Sequence, residues 1–328
     1  MMATLKYDCV IIVYNYESIH FLRICIKQIR KHKHSKINQH IIISEQSSEE
    51  SYNEVVREFG HCDDITIVKM KTICSGYAID YIMRYVDIID KSNYICTIDV
   101  DAFPIHNNWL YIPIKLIEDH GFEFVGAHVE VESENCNHKT FESAYKEHGL
   151  FYLVASWYRV SKTEKIKNMA IEAGFTSFHK RHLIDGLFNF KNNEWSGWAD
   201  VGVVAFWWDD KYNKNNNKFT FAFEKCLGVA PKEGRYGVLI DDLLFHFAFS
   251  YNHTQVGNQQ ESLGSEYLRF MDKIKSGNFE VDEIVNSLKP LKYFNKIPTP
   301  RQVWDGKRKM IICPSDEINK RIDELKNY

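Results

Sequence analysis

The stretch that decides the fold is Tyr94-Ile95-Cys96-Thr97-Ile98-Asp99-Val100-Asp101. It is a short apolar run that closes on two aspartates one residue apart. Alternate residues of a strand point to the same side, so Asp99 and Asp101 are expected to aim two carboxylates at one spot. That spot lies at the strand's C-terminal end, where open α/β sheets bind ligands. Hard divalent cations such as Mg2+ and Mn2+ take oxygen ligands and bridge to substrate phosphates. The pair therefore reads as a metal–diphosphate site. Asp-x-Asp is also ordinary turn chemistry at a strand end, so the surrounding sequence has to decide between the two.

Working upstream, residues 7–14 and 40–44 are apolar runs, and 65–69 is a third strand segment. Between them, 18–31 carries Ile19, Leu22, Ile26 and Ile29 at helical spacing, and 51–59 and 76–90 also read as helices. This β-α-β-α-β-α-β alternation predicts a parallel sheet with helices on its faces. Short continuous apolar strands are what burial on both faces requires. Downstream the pattern loosens. Strands are expected at 123–131 and 150–160, a helix near 162–173, and an apolar segment over 238–250 around His246. Lys211 to Lys218 is an Asn-rich polar loop, and from about 258 the chain turns charged and helical, broken by Pro290, Pro298 and Pro300.

The 328 residues are 45% hydrophobic and 26% charged, enough for one large domain or two modest ones with real cores. A net charge of −3 gives no general nucleic-acid surface. The basic run Arg30-Lys31-His32-Lys33-His34 reads as favourable charge at a helix C-terminus. The eight cysteines form no Cys-x-x-Cys pair and read as small core residues of a reducing compartment. There is no signal-peptide pattern and no run of membrane-spanning length. The expectation is a soluble cytoplasmic protein with no transmembrane segment and no nucleic-acid partner. Peripheral membrane contact and homo-oligomer formation stay open.

The ends of the strands carry a resemblance. The first closes on Val13-Tyr14-Asn15-Tyr16-Glu17, the second on Ile43-Ser44-Glu45-Gln46-Ser47, the third is followed by Cys74-Ser75-Gly76, and the fourth ends in Asp99-Val100-Asp101. This order resembles the nucleotide-sugar domain of GT-A fold glycosyltransferases, family-2-like ones especially, over about 7–110 and more loosely over 120–250. The resemblance implies a GT-A-like, Rossmann-like α/β fold with a mostly parallel sheet flanked by helices. The domain is expected over 1–254, followed by a small, mainly helical extension over 255–328.

The resemblance also implies roles for residues. Tyr14 would pack on the nucleobase, and Asn15 and Glu17 would line the base or ribose pocket. Glu45 stands where the family has an aspartate that accepts from a base N–H; its other reading is a cap for the following helix, as for Glu49 and Glu50. Gly76 and Asp80 belong to the same nucleotide-sugar set, although Ala78-Ile79-Asp80 replaces the family's Ala-Arg-Asn. Asp99 and Asp101 would share ribose, Mn2+ or Mg2+ and diphosphate, with His246 as third metal ligand.

The expected activity is metal-dependent transfer of a sugar from a UDP- or GDP-type nucleoside-diphosphate sugar to a hydroxyl of a glycan or other acceptor. Asp200, between Trp198 and Gly202, is the candidate general base of an inverting enzyme, with Asp241 and Asp242 as alternatives. Trp195 and Trp198 could stack on a sugar or fill a core. A retaining enzyme needs no such base, so the stereochemistry stays open. The rival activities are a nucleotidyltransferase and a non-catalytic glycan-binding scaffold. The first usually has a basic Gly-rich loop after its first strand, where this chain has Asn15-Tyr16-Glu17-Ser18.

Overall fold

The structure is a computed structural model. It describes residues 7–71, 75–127, 158–172, 174–175, 219–222, 224–228, 237–240, 242–247, 271–287, 289–290, 302–304, 309–311 and 316–328.

The N-terminal half alternates as its sequence requires. It runs β1 (Tyr7–Asn15), α1 (Ile19–Lys31), β2 (Gln39–Glu45), α2 (Glu49–Phe59), β3 (Ile65–Lys69), α3 (Ser75–Tyr85) and β4 (Ser92–Asp99). Then follow β5 (Ala102–Pro104), α4 (Tyr111–His120), β6 (Phe124–Ala127), β7 (Tyr158–Lys162) and α5 (Thr163–Glu172). The later strands are β8 (Phe219–Ala222), β9 (Glu224–Gly228), β10 (Gly237–Ile240), β11 (Leu244–Phe247) and β12 (Lys289–Pro290).

A seven-stranded sheet has the order β3-β2-β1-β4-β7-β6-β8. Its first four strands are parallel, β7 is antiparallel to both β4 and β6, and β8 is parallel to β6. Cys9, Ile11 and Val13 share a core with Leu22, Cys25, Val55 and Trp109. The intervening Val10 and Ile12 face the other way and are equally buried. Coverage of both faces is why β1 is apolar at every position from Cys9 to Val13. The buried thiols of Cys9, Cys25 and Cys96 are pushed up by burial and behave as packing groups.

Helix ends follow their local chemistry. Ser48 Oγ accepts from Ser51 N at the start of α2, whose first turn holds Glu49 and Glu50. The basic end of α1 is held by Arg30–Asp64 and Lys31–Asp282 pairs. Gly121, at φ 66°, stops α4 in the left-handed conformation that glycine takes without a Cβ clash.

A second, antiparallel sheet has the order β12-β9-β10-β11-β5. β5 begins just beyond the turn that follows Asp99, the last residue of β4, so the chain leaves one sheet and enters the other at the acidic pair. Met271, Ile274, Phe279, Val281 and Ile284 pack into the same core as α1 and β5. The C-terminal helix Asp316–Lys326 adds Ile322 and Leu325, and its Leu325 carbonyl accepts from Asn108 Nδ2 at 2.7 Å. Beyond residue 255 the described elements also include β12 and a short hairpin, Gln302–Trp304 with Lys309–Ile311. Among the described residues, no helix is long and apolar enough to cross a membrane.

Candidate active site and metal centre

The parallel register lines up the strand ends. Tyr14 lies opposite Asp99 and Ser44, Asn15 opposite Glu45, and Glu45 opposite Lys69. Every residue singled out on β1, β2 and β4 therefore stands on one edge of the sheet.

Asp99 and Asp101 do meet, but not through strand alternation. β4 ends at Asp99, and Val100 and Asp101 form a turn. The turn, not a shared strand face, brings the second carboxylate back beside the first. β5 then pairs with β11, which puts His246 opposite Ala102, and Phe247 N donates to the Asp101 carbonyl at 3.0 Å. His246 Nε2 lies 3.3 Å from Asp101 Oδ1. One ligand atom from each of Asp99, Asp101 and His246 falls within 4.8 Å of the others. Phe245 and Phe247 flank the histidine and are fully buried, stacking near Phe103, Phe279 and Phe21. Strand alternation then leaves His246 on the opposite side, half-buried.

Two carboxylates and an imidazole fit a divalent cation. The 3.3 Å edge is close to the roughly 3 Å separating neighbouring ligands of an octahedral ion with 2.0–2.1 Å bonds. Burial and the like charge of Asp101 push the Asp99 carboxyl up to about 7, with His246 and Arg159 pulling the other way. Two acids forced together this way are relieved by a cation between them.

The neighbouring strand ends are laced to one another. Glu45 is fully buried; its Oε2 accepts from Asn15 Nδ2 and its Oε1 from Ser47 N at 2.9 Å. Glu17 N donates to Ser47 Oγ at 2.7 Å, and the Glu17 carboxylate accepts from Ser48 N, ahead of α2. Glu17 sits at φ 48°, which turns its side chain back onto the second loop. Asn15, Glu17 and Glu45 thus form a latch between the first two strand-end loops. A carboxylate accepts on both oxygens, whereas an amide accepts on one only. Glu45→Gln should therefore leave one buried donor, Asn15 Nδ2 or Ser47 N–H, without a partner. The expected loss is about 1–3 kcal/mol in urea unfolding.

Tyr14 turns its hydroxyl inward, where burial raises its pKa and Arg159 partly offsets that. Gly76 is buried in the first turn of α3. Asp80, one turn on, accepts from Phe175 N at 2.7 Å, fastening the Gly174 turn that follows α5. Asp242 is an exposed residue in a left-handed turn before β11, at φ 55°. Asp200, Asp241, Trp195 and Trp198 lie outside the described residues. Arg159 was not singled out by sequence. Its signal was a lone guanidinium inside the apolar run Trp157-Tyr158-Arg159-Val160.

Comparison with solved structures gives distant likenesses. Crystal structures of S. aureus TarS 1-349 match at 12% identity and TM-score 0.38, covering 52% of this chain and 50% of that one. One of them is in complex with UDP-GlcNAc, at TM-score 0.36 and 12% identity, covering 52% of this chain and 48% of that one. The mannosyltransferase PcManGT from Pyrobaculum calidifontis, in complex with GDP-Man and Mn2+, matches at 15% identity and TM-score 0.37, covering 53% and 49%. The chain spans about half the length of each. No curated protein matches. The sequence model described as "Glycosyl transferase family 2" matches residues 8–188, more than half of the chain and all four parallel strands. The chain belongs to glycosyl transferase family 2.

Proposed function

We propose that this member of the family transfers a sugar from a nucleoside-diphosphate donor to an acceptor hydroxyl with the help of a divalent cation. The observation that carries the reading is the convergence of Asp99, Asp101 and His246 at the edge of the parallel sheet. These three would hold the ion. The imidazole makes Mn2+ a better fit than Mg2+, which prefers all-oxygen shells. A bound cation supplies Lewis-acid charge to the departing diphosphate.

The chain's own residues do the rest. Asp101 and His246 would hold the ion on the diphosphate side, and Asp99 would be shared with the ribose. The latched loops of Asn15, Glu17 and Glu45, with Tyr14 and Gly76, shape the nucleoside side. In an inverting reaction Asp200 would take the proton of the acceptor hydroxyl as the new bond forms. The donor base is UDP- or GDP-type, and the acceptor is a glycan or another hydroxyl compound.

Calorimetry with UDP and GDP, each with Mn2+ and with EDTA, tests this. One nucleotide should bind at least about tenfold more tightly with Mn2+, a difference of about 1.4 kcal/mol. Equal affinity in EDTA would remove the cation from the mechanism. A donor-hydrolysis screen over nucleotide sugars then identifies the sugar, because slow transfer to water needs no acceptor.

A further inference from the structure

Arg159 is a charged residue in the middle of a sheet, only 4% exposed. Burying a guanidinium this deeply is costly unless acids and acceptors surround it. The register shows what surrounds it. Arg159 on β7 is the partner of Thr97 on β4. Thr97 and Asp99 are two residues apart on one strand, and Tyr14 on β1 is the partner of Asp99. Cross-strand partners share a face, as do alternate residues of a strand. Arg159, Thr97, Asp99 and Tyr14 therefore all point to the same side of the sheet. The diagonal from Arg159 to Asp99 spans roughly 7–8 Å between backbones, within reach of a long side chain. The hydroxyls of Tyr14 and Thr97 are themselves buried at this place, so the cluster is polar throughout.

We propose that Arg159 is a positioning residue of the nucleotide–cation site, holding the Asp99 carboxylate by its charge from beneath the sheet edge. It does so through a permanent charge acting across the strand, since the Tyr14 hydroxyl takes no hydrogen bond from it. The arrangement leaves Asp101 and His246 to be set by the second sheet and Asp99 by the first. The two halves of the site are thus oriented by different layers of the fold. This inference rests on the function proposed above, and it adds a residue that touches neither donor nor cation.

The test is the Mn2+-linked affinity for UDP and GDP, measured by calorimetry on wild type, Arg159→Gln, Arg159→Lys, Asp99→Asn and the Arg159→Gln/Asp99→Asn double variant. Far-UV circular dichroism checks the fold of each. Arg159→Gln should weaken the linked affinity at least about tenfold. Arg159→Lys, which keeps the charge, should recover a large part of that loss. In the Asp99→Asn background, Arg159→Gln should add less than about a twofold further loss, because the group it acts through is gone. Unchanged affinity in a folded Arg159→Gln variant overturns the inference, and so do losses that multiply independently in the double variant. If Arg159→Gln does not fold, the Arg159→Lys/Asp99→Asn cycle decides on the same criterion of non-additivity. A wild type without Mn2+-linked nucleotide binding defeats the proposed function itself, and this inference with it.

Discussion

Replacing Asp101 by alanine is expected to abolish sugar transfer while leaving the fold in place. The loss should be at least about 10²-fold, the scale expected when a group that stabilises developing charge is removed. The carboxylate of Asp101 stands beside His246, at 3.3 Å, and beside Asp99, so its removal takes away two sides of the donor set. The fold should survive because what Asp101 gives the second sheet is its backbone carbonyl, bonded to Phe247 N. Alanine keeps that bond. It also removes the like charge that pushes Asp99 up, so the metal-free variant should melt no lower than wild type. Assays with Mn2+ and a thermal melt in EDTA measure both halves. Full activity of Asp101→Ala in Mn2+ would sink the assignment.

Without a cation, the protein should lose stability as pH rises from about 4 to about 7, and Mn2+ should restore it. Asp99 has an ordinary carboxyl pKa of 3.8 in the unfolded chain and about 7 when folded. Between those values the folded state holds a proton that the unfolded state has released. Stability must therefore fall with rising pH across that window and level off above it. The size is on the order of 2–4 kcal/mol by about pH 8, toward the lower end because Asp99 is half-buried and keeps some water. The Asp99→Asn variant carries no such group. In EDTA it should equal wild type near about pH 4 and exceed it at about pH 8. Comparing the two proteins cancels the contributions of Asp64, His32, His34 and His106, whose pKa values also shift on folding. The stabilisation by Mn2+ should grow over the same window, because the ion competes with that proton. A stability difference between wild type and the Asp99→Asn variant that does not change with pH would show that the two carboxylates are not forced together.

The parallel half was legible because burial on both faces demands unbroken apolar runs, and Cys9-Val10-Ile11-Ile12-Val13 is such a run. The acidic pair, ordinary turn chemistry by itself, was legible because it stands fourth in an ordered series of strand-end features. His246 was legible only through the resemblance, since a histidine in an apolar strand also reads as a core residue; its place between the buried Phe245 and Phe247 is what separates it from the core. Other features were hidden for physical reasons. The order β4-β7-β6-β8 departs from chain order, and an alternating pattern does not name a strand's neighbour. The strands of the second sheet are two to five residues long, too short for periodicity to register. The turn at Val100–Asp101 looked like more strand because valine favours strands. Glu45 offered two uses for one carboxylate, and only the register with Asn15 shows both its oxygens engaged within the protein. Arg159 could not be paired with Asp99 until β7 was known to lie beside β4.

The switch of the chain from one sheet to the other at the acidic pair also sets an order in time. His246 is 145 positions downstream of Asp101. A chain emerging from the ribosome can complete the four parallel strands as soon as residue 99 is free, since their contacts are comparatively local. At that stage two acids already crowd one edge with no imidazole beside them. The strand that answers them, β11, arrives only after more than a hundred further residues have been made. The half-made protein is thus born with its least comfortable charges exposed to solvent, and the β11–β5 pairing brings His246 to them only later.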